Sequence, residues 1–165
     1  MSITENSKKI MNILHVSYSD KCGGAARAAF RIHNSFSNFD NEKSLTSRMR
    51  VINKLSNDEK VLSGKPANQS WLWQRIHPRL NKLRKKNFFT PNNNFHSIAW
   101  PDTGLGKELT NLGNRNLADI VHLHWIGDSV ISIEEIGKIN QPLIWTLHDQ
   151  WPFCGAEHYT SYNHN

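Results

Sequence analysis

The chain has 165 residues, of which 38% are hydrophobic, and a formal net charge of +6. This length suits one domain with an adequate core, and no apolar run approaches the ~20 residues that span a bilayer, which argues against an integral membrane protein. Residues 1–10 are polar and lack an apolar signal core, so we expect a disordered extension on a cytoplasmic protein. The two cysteines, Cys22 and Cys154, form no CxxC pair, which suits a reducing compartment.

The first elements predict the opening unit of a doubly wound sheet. Residues 11–17 form a short apolar strand, and the Gly23-Gly24 pair then allows a sharp turn of the backbone. Residues 25–36 are predicted to be a helix because their apolar side chains recur at spacings of three and four. A second strand is expected over residues 44–51. Strand, glycine-rich loop and helix in this order are typical of a Rossmann-like fold.

The middle of the chain carries the basic charge. Residues 60–101 contain eight basic residues and no acidic one, and we expect a basic amphipathic insertion at about 53–95. Its centre, from Trp71 to Lys86, is predicted to be a helix. This helix has three interpretations: its basic face is simply solvated, it lies on an anionic membrane, or it binds nucleic acid. No nucleic-acid motif accompanies it, so the first two interpretations rank above the third.

The remaining elements alternate between strand and helix. A polar loop over 53–70, a strand over 95–100 and a weak helix over 107–112 precede a strand over 120–125. A helix over about 132–139 begins with a capping box of Ser132 and Glu135, and a strand over 143–147 follows. This alternation predicts an α/β fold over residues 11–165, a Rossmann-like parallel sheet with helices on both faces.

The glycine pair has two interpretations. Helix N-termini expose N–H groups and a partial positive charge, so Gly23 and Gly24 could let a phosphate approach the backbone. The pair is neither GxGxxG nor a P-loop. The alternative, that Gly23-Gly24 only makes the turn, is equally supported by the spacing.

Histidines end the two last predicted strands. His122 and His124 are two residues apart, so they point to one face of their strand, and His148-Asp149 follows the neighbouring strand. These three histidines could bind a metal. A polar cluster for hydroxyls or phosphate is favoured, because both cysteines lie outside any ligand spacing, and we therefore expect no metal. Asp149 is expected to bond to backbone or solvent.

Aromatic residues crowd the same region. They either pack in the core and loops or form an apolar platform for a sugar ring, and the two interpretations are evenly matched. A loop after a strand is where binding residues often lie, and this applies to the Trp151-Pro152-Phe153 run. The aromatic set is Trp145, Trp151, Phe153 and Tyr159.

Three segments together resemble the N-terminal half of bacterial group 1, or family 4, glycosyltransferases that build surface polysaccharides such as colanic acid or O-antigen. They are HVSYSDKCGGAARAAFRIH (15–33), ADIVHLHWIGDSVISIEEIGKI (118–139) and PLIWTLHDQWPFCGAEHYT (142–160). The third motif is long and specific. The resemblance covers both ends of the chain well and residues 53–95 poorly.

The resemblance implies one half of a two-domain GT-B fold and a retaining glycosyltransferase that needs no metal or other cofactor. Its substrates would be a UDP- or GDP-sugar donor and a glycan or lipid-linked acceptor, at the inner face of the cell membrane. It implies that Gly23 and Gly24 lie near the donor phosphates. It further implies that His148 lies near the transferred sugar, where it orients hydroxyls and stabilises charge. The residues implied to line the acceptor side are His124, Trp125, Asp149 and Trp151.

The family's C-terminal donor-binding domain has no counterpart in these 165 residues. We therefore expect the chain alone to be inactive and to be a truncated chain, a broken gene product or half of a split enzyme that needs a partner. Two alternatives remain open. One is a non-catalytic carbohydrate-binding or interaction module. The other is a metal-dependent hydrolase that uses His122, His124 and His148.

Overall fold

A computed structural model of the chain describes residues 10–38, 44–63, 75–76, 79, 83, 118–127 and 130–154. Five strands and three helices lie in these ranges. The strands are β1 (Met11–Ser19), β2 (Leu45–Asn53), β3 (Val61–Ser63), β4 (Ile120–Leu123) and β5 (Leu143–Trp145). The helices are α1 (Gly24–Asn38), α2 (Ile133–Ile136) and α3 (Trp151–Cys154).

All five strands are parallel and lie in the order β3-β2-β1-β4-β5. The chain moves outward from β1 through β2 to β3 and then returns to place β4 on the other side of β1. Ligands of open α/β sheets bind at such a reversal of strand order, beyond the carboxyl ends of the strands. The predicted α/β class with a Rossmann-like parallel sheet is confirmed, and the boundary between β1 and β4 is where a site is expected.

Helix α1 covers one face of the sheet through small side chains. Ala29 is fully buried against Met49, Val51 and Val61 of β2 and β3. Alanine has a high helix propensity and lets a helix approach a sheet closely. On the same face, His33 of α1 hydrogen-bonds Ser47 on β2, with 2.8 Å between Nδ1 and Oγ. A polar contact thus accompanies the apolar packing of α1.

The larger apolar core lies on the opposite face. Leu14 and Val16 of β1 are paired with Val121 and Leu123 of β4, and these four side chains form the centre of the cluster. Ile136 of α2 and Trp151 of α3 pack against it. Because α1 packs on the other side, helices contact both faces of the sheet, as the alternating pattern predicts.

Several predicted elements differ from the structure. The strand predicted over 120–125 ends at Leu123, and the strand predicted over 143–147 ends at Trp145. Residues 61–63, predicted as loop, form β3, which is too short for a visible alternation of apolar and polar residues. The helix after Ser132 has the predicted capping box, but it ends at Ile136, with Gly137 as its C-cap, rather than near residue 139. Trp151-Pro152-Phe153 is the first turn of α3 rather than a loop, since proline is well tolerated in a first helical turn.

The basic segment is described at four positions, Arg75, Ile76, Arg79 and Leu83, all with helical backbone. Both arginines and Leu83 are exposed. The predictions for residues 1–9, 95–100 and 107–112 lie outside the described residues. No helix in the described part of the chain is long and apolar enough to cross a membrane.

A buried carboxylate joins the loop after β1 to the loop after β2. Asp20 is fully buried and accepts hydrogen bonds from the backbone N–H of Leu55 at 2.8 Å and of Ser56 at 2.7 Å. Burial acts to raise the pKa of Asp20, but the hydrogen bonds from Ser56 and Leu55 outweigh it, so its pKa is lowered. Asp20 therefore fixes the position of the loop that leads to Gly23.

Replacing Asp20 should destabilise the fold in a pH-dependent manner. We expect Asp20→Ala to lower the free energy of unfolding by about 3 kcal/mol at pH 7, because the buried N–H of Ser56 and the partly buried N–H of Leu55 lose a charged acceptor. An acid with a lowered folded-state pKa stabilises the protein above its unfolded pKa of about 3.9 and ceases to do so as the pH falls. In urea titrations, the difference in unfolding free energy between wild type and Asp20→Asn should therefore be constant above pH 5 and should become smaller below about pH 4.

The exposed acid Glu59 on the neighbouring loop supplies the control. Glu59→Gln should change the free energy of unfolding little at any pH. A wild-type–Asn difference that persists undiminished in acid would contradict this role of Asp20.

Candidate functional site

A cavity of about 220 Å³ lies at the carboxyl end of β1, beside the N-terminus of α1. It is therefore at the reversal of strand order. Its wall is made by the end of β1, the loop after it, the first turn of α1 and one aromatic residue after β4. The lining residues are Ser17, Tyr18, Ser19, Cys22, Gly23, Gly24, Ala25, Ala26 and Trp125.

The two glycines of the cavity have different physical roles. Gly23 has a φ of +89°, in the left-handed region that favours glycine, whereas Gly24 does not. A Cβ built at either position would meet no atom within 4 Å. Gly23 is thus required by the backbone of the turn, while the space above Gly24 is open for a ligand. Gly24 is the first residue of α1, and the first N–H groups of a helix have no partner within the helix.

Trp125 connects this cavity to the residues that follow β5. Its ring packs edge-on against Tyr18, with 5.8 Å between the centroids, and its Nε1–H donates to Asp149 Oδ2 at 2.9 Å. The other carboxylate oxygen, Oδ1, accepts the backbone N–H of Trp151 at 3.2 Å. The predicted backbone bond of Asp149 is confirmed, and Asp149 also holds the Trp125 indole against the cavity.

Four histidines line the same face of the sheet between β1 and the loop after β5. His15 of β1 is directly paired with His122 of β4, and His122 lies 4.2 Å from His124 between ring centroids. His15 Nδ1 is 3.0 Å from His124 Nε2, and His124 Nδ1 is 3.4 Å from His148 Nε2. A chain of three imidazoles thus runs from the centre of the sheet to its carboxyl edge.

Burial keeps these imidazoles neutral. Burial, followed by the charges of His122 and His33, lowers the pKa of His15 to about 3. Burial and the neighbouring histidines lower the pKa of His124 to about 2. The pKa of His148 is lowered by burial, although Asp149 opposes this shift. At neutral pH each ring therefore has one N–H donor and one acceptor nitrogen.

The structure places the predicted site residues in three settings. Gly23, Gly24 and Trp125 share the cavity. Asp149 bonds Trp125, whereas His148 contacts His124, which does not line the cavity. His124 itself is 1% exposed, which leaves little of its surface for an acceptor. Trp151 is buried in the larger core next to Trp145, 6.1 Å away between centroids. The cavity also contains Tyr18 and Cys22, which the sequence patterns did not single out.

His15 is the functional candidate that the sequence analysis missed. It lies with His122 and His124 in a cluster whose potential ligand atoms are all within 4.8 Å of one another. A polar, titratable residue at the centre of the apolar strand MNILHVSYS is the signal that could have identified it. Comparisons with protein-family models, curated proteins and solved structures found no match.

The two glycines should respond differently to substitution. We expect Gly23→Ala to lower the free energy of unfolding by about 1 kcal/mol, because an alanine in the left-handed region is strained. Gly24→Ala should change it by less than about 0.5 kcal/mol, because its methyl group would enter open space. Chemical denaturation of both variants and of Gly137→Ala, a helix-end glycine with only ordinary contacts at 3.7 Å, tests the difference. Equal losses at Gly23 and Gly24 would contradict it.

Proposed function

We propose that the chain is the acceptor-side half of a retaining glycosyltransferase that acts in the synthesis of a cell-surface polysaccharide. The observation that carries the proposal is the position of Trp125. This single side chain lines the glycine cavity, packs on Tyr18 and bonds Asp149. It thereby joins the Gly23-Gly24 motif and the His148-Asp149 motif, which are more than 120 residues apart in the chain, at one edge of the sheet.

The cavity suits a phosphate group of a nucleotide-sugar better than a whole ligand. Its volume of about 220 Å³ is below the roughly 300–1,000 Å³ typical of complete ligand pockets. The N–H groups of the first α1 turn and the open space above Gly24 favour an anion that approaches the backbone closely. In this proposal the donor is a UDP- or GDP-sugar, and the base and ribose bind to a second domain, in the same polypeptide or in a partner chain.

His148 is the catalytic residue of the proposal. It is half-buried at the carboxyl edge, and its Nε2 faces His124 Nδ1. Because its pKa is lowered, the neutral ring can orient a sugar hydroxyl and stabilise charge that develops during transfer. The bond to His124 would hold the ring in one orientation. Trp125 and Asp149 would form the acceptor side of the edge.

Three exposed positions in the basic segment support a location at the inner face of the membrane. Arg75 and Arg79 are four residues apart on a helical backbone, and Leu83 is exposed nearby in sequence. Basic and apolar side chains presented together suit an anionic lipid surface. A lipid-linked acceptor would be present there. In this proposal the enzyme is a peripheral protein on the cytoplasmic side.

The hydrolase alternative has less support from the geometry. His122 and His124 are 7% and 1% exposed, so a metal held by them would present little open surface to a substrate. A catalytic metal needs an open coordination position that the substrate or a water can reach. A non-catalytic binding module would use the same cavity but would not need His148.

Binding of a nucleotide-sugar should be detectable at Trp125. We expect UDP- or GDP-sugars to shift the indole N–H resonance of Trp125 in ¹H–¹⁵N spectra, because the ring lines the cavity. Gly24→Val should weaken this binding at least tenfold, since its side chain would fill the space that the phosphate needs. Gly137→Val is the matched control and should bind like the wild type. Binding that is unaffected by Gly24→Val would contradict the assigned phosphate site.

Loss of the gene should alter the surface polysaccharide of the organism that encodes it. We expect deletion to shorten or remove one polymer on polysaccharide gels, and the wild-type gene to restore it. His148→Ala should fail to restore it at normal protein levels, whereas Leu147→Ala, an exposed neighbour, should succeed. An unchanged polymer in the deletion strain would refute the function, and full rescue by His148→Ala would favour a non-catalytic module.

A further inference from the structure

The three buried histidines of the sheet are arranged in a manner that hydrogen bonding alone does not explain. His15, His122 and His124 are 0%, 7% and 1% exposed, and they come from two adjacent strands. His122 and His124 are on one face because side chains two residues apart on a strand point the same way. The pairing of His15 with His122 adds the third imidazole beside them.

One ring nitrogen of this group has no hydrogen-bond partner. His15 Nε2 is buried and unpartnered among the described residues. An ion bound to Nδ1, the nitrogen of His15 that faces His124, would not satisfy Nε2, so the case for an ion rests on the spacing of the other ring nitrogens. The phenyl ring of Phe36, stacked 5.8 Å from His15, offers no acceptor. The cluster is therefore incomplete as a hydrogen-bonded network.

We propose that His15, His122 and His124 bind a zinc ion between β1 and β4. This proposal does not rest on the glycosyltransferase function, and the ion is a structural link between the two strands rather than a reactant. The potential ligand nitrogens lie within 4.8 Å of one another. Two nitrogens bound to one tetrahedral zinc at 2.0–2.1 Å are about 3.3 Å apart, close to the 3.0 Å between His15 Nδ1 and His124 Nε2. Small rotations of the rings would complete the site.

The chemistry of the ligand set selects the ion. Three imidazole nitrogens suit zinc, copper, iron or nickel, whereas magnesium and calcium require oxygen ligands. Zinc accepts the four-coordinate geometry that three histidines and one water provide. The triad itself has no carboxylate or thiol, so a hard cation would find no favourable ligand in it.

Two of the three ligands have a partner that would orient them. His122 Nε2 is 2.7 Å from Thr146 Oγ1, which leaves Nδ1 of His122 for the ion. His124 Nδ1 faces His148 Nε2 at 3.4 Å, which leaves Nε2 of His124. Metal-binding histidines usually donate their second nitrogen to such a partner, and this fixes the ring and its tautomer.

Metal binding can be measured directly on the full chain without a histidine tag, after treatment with a chelator. We expect one Zn²⁺ per chain, and one Co²⁺ with the visible absorption of a four-coordinate ion. Zinc at one hundred times its Kd should raise the Tm by about 5–10 °C, because it binds only the folded state. X-ray absorption of the zinc form should show three imidazole ligands. Fewer imidazoles, sulfur ligation or the absence of stoichiometric binding would overturn the proposal.

Variants distinguish the triad from other histidines. His122→Gln should weaken zinc binding at least 100-fold, and Thr146→Val should weaken it about 10- to 100-fold by removing the orienting partner. His33→Gln, at a buried histidine that bonds Ser47 instead, is the matched control and should bind zinc within twofold of wild type. Joint replacement of His77, His96, His158 and His164 by glutamine should also retain binding. Loss of the site in either control would overturn the assignment, and the wild-type absorption spectrum decides the matter if a triad variant fails to fold.

Discussion

The parallel pairing of β1 with β4 is the constraint on which the rest of the structure depends. The chain must leave β1, build β2 and β3, and place β4 against β1, although 100 residues lie between Ser19 and Ile120. Backbone bonds continue this pairing beyond the strands, from His124 N–H to the Val16 carbonyl and from Tyr18 N–H to the Trp125 carbonyl. Closing so long a connection costs chain entropy, which the packing of both faces must offset. The same pairing creates the crevice where Gly23 and Trp125 meet.

The two faces of this strand pair solve the packing problem differently. On one face Leu14, Val16, Val121 and Leu123 form a continuous apolar core, which needs no directional partner. On the other face the paired positions are His15 and His122, which replace apolar contact by ring packing and hydrogen bonds. Burying imidazoles is unfavourable unless their nitrogens are satisfied. Aliphatic residues at these positions would need no directional partners, so the stability of this face depends on how well the imidazole nitrogens are satisfied.

Much of the fold could be predicted from local patterns, because β1, α1, β2, β4 and the capping box each have a clear signal in sequence. β3 could not be predicted, since three residues at the side of a sheet are defined by pairing with Met49, Arg50 and Val51 rather than by their own pattern. The site was predictable only in part for the same reason. The spacing of His122 and His124 predicts that they lie on one face of a strand. The third member, His15, lies beside them because of the pairing register between β1 and β4, which are distant in sequence. Trp151 shows the opposite case: an aromatic residue in a polar motif whose burial depends on tertiary packing.

The two proposed sites share one element, and this sharing defines how they would influence each other. His124 is within bonding distance of His15 on one side and of His148 on the other. A ligand of its Nε2 would fix the proton on Nδ1 and thereby the orientation of the bond towards His148. An ion bound to His124 would thus fix which nitrogen of His148 accepts the bond from His124, and so would orient the His148 ring. The ion would do this without contacting a sugar. In this arrangement the ion would hold the carboxyl edge of the sheet in place through His124. Trp125 and Asp149 would hold the same edge in place from the side of the cavity. The rigidity of the edge would then come from two independent sources, one coordinative and one from hydrogen bonding, which is the kind of support that a precisely placed catalytic side chain requires.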